Sequence, residues 1–149
     1  NEISEKEFYE RFFGDGRAFD GPRMKEAMAG SYRYLDGIEE LLADLHAADV
    51  PMHALSNYPD WYLVIEEKLR LSRYLEWSFV SCITGHRKPA QEAYAAATET
   101  LGVSPSECIF VDDRGVNCKA AAAFGMHAIK FQGAGALRTE LAGLGIPGA

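Results

Sequence analysis

Three short polar clusters in this chain carry residue types suited to chemistry. Ser56-Asn57 supplies a hydroxyl and an amide, Lys88 follows Gly85-His86-Arg87 and precedes Pro89, and Asp112-Asp113 stands five and four residues before Asn117. Adjacent carboxylates repel each other and raise each other's pKa unless a cation neutralises them, and hard oxygen donors of this kind select Mg2+ over softer metals. An ammonium such as Lys88 can neutralise both a phosphoryl oxygen and a nucleophilic carboxylate. Ser56 and the backbone amides beside Asn57 can donate to equatorial phosphate oxygens, the interaction on which phosphoryl transfer mostly depends. Asn117 stands where it can orient Asp113 from behind. Taken singly, each cluster has an ordinary reading. Ser56-Asn57 can be a turn, Asp112-Asp113 ahead of Arg114-Gly115 a helix cap, and Lys88 a solvated surface side chain. What sets them apart is their common relation to the secondary structure.

Short apolar runs at Met52–Ser56, Phe79–Ile83, Cys108–Val111 and Met126–Lys130 read as buried strands. Between and around them lie helical patterns. Ile38, Leu41, Leu42 and Leu45 form an amphipathic stripe that ends by Asp49 with Pro51 beyond. Trp61–Leu71 opens after Pro59-Asp60, Pro89–Leu101 is closed by Gly102, Val116–Phe124 is closed by Gly125, and a short helix surrounds Leu137–Leu144. Strands of about five residues alternating with helices of about ten or more predict an α/β fold, a parallel sheet covered by helices on both faces. Ligands of such sheets sit at the carboxyl ends of the strands. Ser56, Lys88 and Asp112-Asp113 each follow a different strand, so the pattern brings them to one rim.

The opening of the chain differs in character. Ser4–Phe13 reads as a helix capped by Ser4 with Glu7 three positions on, Gly14, Gly16, Gly21 and Pro22 break the chain, and Arg23–Tyr34 reads as a second helix. This pair is too small to fold alone.

The 149 residues are 48% hydrophobic and 25% charged, which fits one globular domain with a substantial core. A formal net charge of -7 disfavours a nucleic-acid partner and favours cationic or metal-bridged ones. No apolar run is long enough to cross a membrane. Cys82, Cys108 and Cys118 are odd in number and set among apolar neighbours, which reads as buried free thiols in a reducing compartment. His46, His53 and His127 fall within apparent helix or strand, and only His86 stands near the rim. Among the aromatics, Trp61 fits a helix core stripe, whereas Tyr58, directly after Ser56-Asn57, is the better candidate to stack on a ligand.

The segments His53-Ala-Leu-Ser-Asn57, Gly85-His-Arg-Lys-Pro89 with Tyr94 beyond, and Ile109-Phe-Val-Asp-Asp-Arg-Gly-Val-Asn117 resemble, in order and spacing, the second, third and fourth motifs of the haloacid dehalogenase superfamily. That resemblance implies a three-layer Rossmannoid core with a mobile cap inserted after its first strand, and a Mg2+-dependent phosphatase that forms an aspartyl-phosphate. It implies that Ser56 binds phosphate and that Lys88 steadies both the nucleophile and the phosphoryl group; Asn57, Tyr58 and Asn117, read from their positions, are with Ser56 and Lys88 the candidates for substrate binding. By the same resemblance Asp113 is the direct metal ligand, with Asp112 assisting directly or through water. A narrower resemblance, carried by Leu55–Tyr62 and Ser81–Pro89, is to the flavin mononucleotide hydrolases of plant and algal plastids, which implies a small phosphorylated metabolite as partner and the chloroplast stroma or the cytoplasm as location.

One departure is large. The family's first motif is a strand ending in Asp-x-Asp, and no two aspartates in this chain are separated by one residue. Residues 1–34 are therefore expected to be the end of a cap, and residues 35–149 a core lacking its first strand, with that strand before Asn1 or supplied by another chain. As written, the chain lacks the family nucleophile. Two readings follow: a phosphomonoesterase whose nucleophile lies elsewhere, or an inactive subunit serving as a binding or scaffold component. A metal-binding module without turnover is a third.

Overall fold

The computed structural model describes residues 3–15 and 17–149; Gly16, one of the expected breaks, lies outside the described residues, as do Asn1 and Glu2. Helix α1 (Glu5–Arg11) is capped by Ser4, whose Oγ accepts from the Glu7 N–H at 3.1 Å. Helix α2 (Gly21–Ser31) begins two residues earlier than its pattern predicts, because Asp20 accepts from the Arg23 N–H and Pro22 occupies the first turn.

Next come α3 (Ile38–Ala47), β1 (His53–Ser56), α4 (Tyr62–Leu69), β2 (Glu76–Val80), the single turn α5 (Ser81–Thr84), α6 (Gln91–Leu101), β3 (Ile109–Asp112), α7 (Gly115–Phe124), β4 (His127–Lys130) and α8 (Ala134–Gly143). Short 3-10 turns occupy Leu71–Arg73 and Pro105–Glu107. The strand expected at Phe79–Ile83 is displaced toward the amino terminus. Its parallel partner β1 sets the register, with His53 opposite Glu76 and Ser56 opposite Val80, so pairing ends at Val80. The chain then turns helical until Gly85, whose φ of 75° is open to glycine and redirects it toward Lys88.

All pairing is parallel. β1 pairs with β2, and β3 pairs with β4 in a register that sets Phe110 opposite Ala128 and Asp112 opposite Lys130. Among the described residues these are two separate two-stranded sheets, so β1 and β3 each keep one unpaired edge. Exposure follows from that. No residue of β1 is buried, and Val111 of β3 is 37% exposed, although strands covered by helices on both faces are ordinarily buried.

Helices cover both faces. Leu41 and Leu45 of α3 pack with Leu137 and Leu141 of α8 and Ile129 of β4, joined by Met52 just before β1. Tyr94 of α6, Phe110 of β3 and Ala121 of α7 pack with Met126, joined by Leu55 of β1. Each core cluster thus draws on both halves of the sheet, and the fold is the expected α/β Rossmannoid type.

The amino-terminal helices dock on α4. Glu5 accepts from Lys25 Nζ at 3.0 Å, from Trp61 Nε1 at 3.1 Å and from the Tyr9 hydroxyl. Lys68 Nζ donates to the Ala29 and Gly30 carbonyls at the end of α2, and the Tyr34 hydroxyl donates to the Leu69 carbonyl. Trp61 is buried, but against Phe8 and Tyr9 of α1 and not in a helix core stripe. Its indole N–H finds its acceptor on α1, so the docking of that helix sets its direction. Cys118 is buried, while Cys82 and Cys108 are only half-buried; all three are free thiols. Among the described residues no helix is long and apolar enough to cross a membrane.

Candidate functional site

The carboxyl ends of β1 and β3 are joined by a chain of side-chain bonds. Asn57, one residue beyond β1, grips the backbone of Lys88 from both sides: its Nδ2 donates to the Lys88 carbonyl at 2.7 Å and its Oδ1 accepts from the Lys88 N–H at 2.8 Å. Lys88 in turn reaches β3, where its Nζ lies 2.7 Å from Asp112 Oδ2, with side-chain exposures of only 10% for the lysine and 6% for the aspartate. The ammonium also sits over the Phe110 ring, 5.3 Å from its centroid.

Asp112 is the best-satisfied group of the site. Besides Lys88 it accepts from the Arg114 N–H at 2.8 Å and from Asn117 Nδ2, which reaches both carboxylate oxygens at 2.9 and 3.1 Å. Burial on its own would push this carboxyl up, but the bonds from Lys88, Arg114 and Asn117 outweigh it and hold Asp112 below the usual carboxylate value. Asn117 is placed by Tyr94, whose hydroxyl donates to the Asn117 carbonyl at 2.9 Å from a fully buried position on α6. Burial, followed by the nearby Asp112 charge, pushes the Tyr94 phenol up to about 12, so it remains a donor at neutral pH.

The expectation that Asn117 orients Asp113 is therefore corrected: its amide spans Asp112. The reason is strand alternation. Asp112 is the last residue of β3 and points inward to α7, whereas Asp113 follows the strand end and is exposed. Among the described residues nothing donates to the Asp113 carboxylate, and the Ser56 hydroxyl at the end of β1 has no partner either. The Asn57 side chain, expected to bind substrate, is instead occupied with Lys88, leaving its backbone N–H for a ligand. Buried Asn117 keeps one atom over, Oδ1, which has no hydrogen-bond partner.

Tyr58 follows on the same loop. Its phenol lies 2.7 Å from that of Tyr32, the residue that ends α2, and its carbonyl accepts from Ser81 Oγ at 3.3 Å. Sequence reasoning places Tyr58 here but misses Tyr32 and the roles of Tyr94 and the Arg114 N–H. Tyr94 carries a signal in its spacing six residues beyond Lys88, whereas Tyr32 acts across 26 residues of chain and carries none. His86 is exposed on the loop before Lys88, and His53 Nδ1 bonds Ser78 Oγ away from the rim.

The arrangement divides its groups into two kinds. Lys88, Asp112, Asn117 and Asn57 are committed to one another, while Ser56 and Asp113 present unpaired oxygens at the ends of two different strands. A hydroxyl donor, an exposed carboxylate and a fixed ammonium are the group types by which an anion and a hard cation are held.

Comparison with known proteins identifies the family. The haloacid dehalogenase-like hydrolase family matches residues 3–125. The chloroplastic flavin mononucleotide hydrolase 1 of Arabidopsis thaliana is 50% identical over 144 residues, covering 97% of this chain; the chain spans 59% of that relative's length. A sesquiterpene phosphatase of Aspergillus oryzae is 36% identical over 93 residues, 58% of this chain and 44% of its own. Among solved structures, a HAD-like hydrolase from Porphyromonas gingivalis aligns at a TM-score of 0.76 with 21% identity, covering 96% of this chain and 74% of that one. The magnesium complex of a HAD family enzyme from Bacteroides thetaiotaomicron aligns at 0.71 with 22% identity, covering 88% and 70%. These two likenesses support the fold. With the matched family spanning most of the sequence, the chain belongs to the haloacid dehalogenase-like hydrolases.

Proposed function

We propose that this chain is the carboxyl-terminal part of a Mg2+-dependent phosphomonoesterase acting on a small phosphorylated metabolite, flavin mononucleotide in particular. The observation that carries the proposal is the chain of bonds from Asn57 through Lys88 to Asp112, which ties the carboxyl ends of β1 and β3 together beside Ser56 and Asp113 in the sequence. The 50% identity to the plant flavin mononucleotide hydrolase supports the substrate, and its chloroplastic name, with three free thiols in this chain, supports a reducing plastid compartment.

Asp113 offers a hard carboxylate oxygen of the kind magnesium takes, while among the described residues no group of three or more His, Cys, Asp or Glu side chains is assembled to hold a metal, so its other ligands would come from water and substrate. Mg2+ characteristically takes one or two carboxylates and completes its shell with water and substrate phosphate. Bound there, it would supply Lewis-acid neutralisation of the phosphoryl oxygens. The chain's own residues do the rest. Ser56 Oγ and the Asn57 N–H donate to equatorial oxygens, Lys88 Nζ neutralises charge on the transferred group, and Asn57 fixes the Lys88 backbone while Asp112 holds its ammonium.

The nucleophilic carboxylate of the aspartyl-phosphate route is not among these residues. We assign it to a further strand, supplied by the same polypeptide or by another chain, that pairs with the unpaired edges of β1 and β3. The test is phosphate release from a phosphomonoester panel that includes flavin mononucleotide, run on the full-length protein with and without Mg2+. Hydrolysis that needs Mg2+ and vanishes in Asp113→Asn is the expected result. No phosphate release from any substrate would instead favour an inactive binding subunit.

A further inference from the structure

The residues after β1 hold more than an anion subsite. Tyr58 lies two positions beyond Ser56, and two residues of chain span at most about 7 Å. Its loop is fixed on three sides: by the Asn57 grip on Lys88, by Ser81 Oγ on the Tyr58 carbonyl, and by the phenol of Tyr32. Tyr32 comes from the amino-terminal helices, which Lys68 and Tyr34 hold to α4. Both tyrosines are half-buried, so their hydroxyls are partly withdrawn from water without being sealed off.

Two phenols hydrogen-bonded to one another use one of their two protons, leaving a proton and lone pairs side by side. An alcohol, both donor and acceptor, matches that combination, whereas a methylene offers it nothing. Burial, then the bond to Tyr32, pushes the Tyr58 phenol up to about 12, so Tyr58 stays protonated through the neutral range.

Resting on the phosphomonoesterase reading above, we propose that the Tyr32–Tyr58 phenol pair is a specificity subsite that reads hydroxyl groups on the carbon chain attached to the phosphate. The substrate class is a polyhydroxylated phosphomonoester such as a sugar-alcohol phosphate, which includes the ribityl chain of a flavin mononucleotide. The pair selects by hydrogen bonding, not by stacking. A substrate lacking the hydroxyls leaves both phenols without a ligand partner in a partly dry site, and is rejected on that account.

The test uses the full-length protein with Mg2+ and two probes of equal chain length, ribitol 5-phosphate and n-pentyl phosphate. The unsubstituted protein is expected to prefer ribitol 5-phosphate in kcat/KM. Tyr32→Phe and Tyr58→Phe, which keep the rings, should each lower kcat/KM for ribitol 5-phosphate about three- to tenfold, chiefly through KM, and leave n-pentyl phosphate within about twofold. An equal loss on both probes, or no change on either, would overturn the subsite, as would equal use of the two probes by the unsubstituted protein; in each case the phosphomonoesterase reading stands. Hydrolysis of neither probe, nor of flavin mononucleotide, overturns that reading and the subsite with it.

Discussion

Replacing Asp112 by Asn removes one charge and turns an acceptor oxygen into an NH2 donor, in a pocket where Lys88 Nζ, the Arg114 N–H and Asn117 Nδ2 all donate. The Lys88 side chain is 10% exposed, so its ammonium has little water to turn to. Breaking a buried ion pair by removing one partner costs about 3–5 kcal/mol. Because the new amide keeps one acceptor oxygen, the low end applies, about 3 kcal/mol, which for a protein of this size lowers the thermal midpoint by about 6–12 °C. Asp113→Asn makes the same chemical change one residue later, at an exposed carboxylate, where surface substitutions stay within about 0.5 kcal/mol. Thermal and urea unfolding of both full-length variants, beside Mg2+-dependent phosphate release, should give a crossed pattern: Asp112→Asn unstable, Asp113→Asn stable but inactive. Adding Lys88→Met to Asp112→Asn should recover part of the lost stability, since the stranded charge is gone. Equal stability of the two single variants would refute the division of labour between the neighbouring aspartates.

Three other perturbations have defined outcomes. Glu66 accepts from the Ser72 N–H and hydroxyl and from Trp77 Nε1; burial alone would raise its carboxyl, but these bonds hold it below the ordinary value. Its stabilisation is complete above the unfolded value of about 4.3 and is lost as pH falls through the lowered folded one, so the thermal midpoints of wild type and Glu66→Gln should keep a constant gap above that value and converge as pH falls below about 4.3. A gap that persists below that value would show that the carboxylate charge is irrelevant. Asn57→Ala removes both bonds to the Lys88 backbone and should cost about 1–3 kcal/mol in urea unfolding together with a fall in kcat, Asn57→Asp keeping the acceptor and falling between. Lys68→Ala frees the Ala29 and Gly30 carbonyls and should speed limited proteolysis near the end of α2, with the core fragment surviving.

How far the sequence discloses this site depends on what each residue needs from distant chain. Ser56 and Asp112 are legible because strand ends are set locally, by short apolar runs that stop at polar residues, and Lys88 because it falls in the loop after the next strand. The β2 boundary is not legible in the same way. Ser81-Cys82-Ile83 looks as apolar as the strand before it, and only the register with His53 and Ser56 ends the pairing at Val80. Which of Asp112 and Asp113 turns inward likewise depends on where β3 stops, a difference of one residue that periodicity does not resolve. Tyr32 and Trp61 find their partners across tens of residues, through packing of the amino-terminal helices that no local pattern encodes.

On the proposed phosphomonoesterase reading, the charges at the rim give the exposed aspartate a role. Lys88 and Asp112 balance one another inside the network, whereas the exposed Asp113 adds a negative charge outside it. A phosphate group carrying about two further charges at neutral pH is repelled by that carboxylate, and the Lys88 ammonium, already bonded to Asp112, offsets only part of the repulsion. A divalent cation at Asp113 reverses the sign of the opening while disturbing none of the bonds that hold Lys88. The two aspartates therefore separate what a single one would have to combine. Asp112 fixes the ammonium on its own, and on the proposed function Asp113, at little cost to the fold, is left for the cation that lets the anion approach.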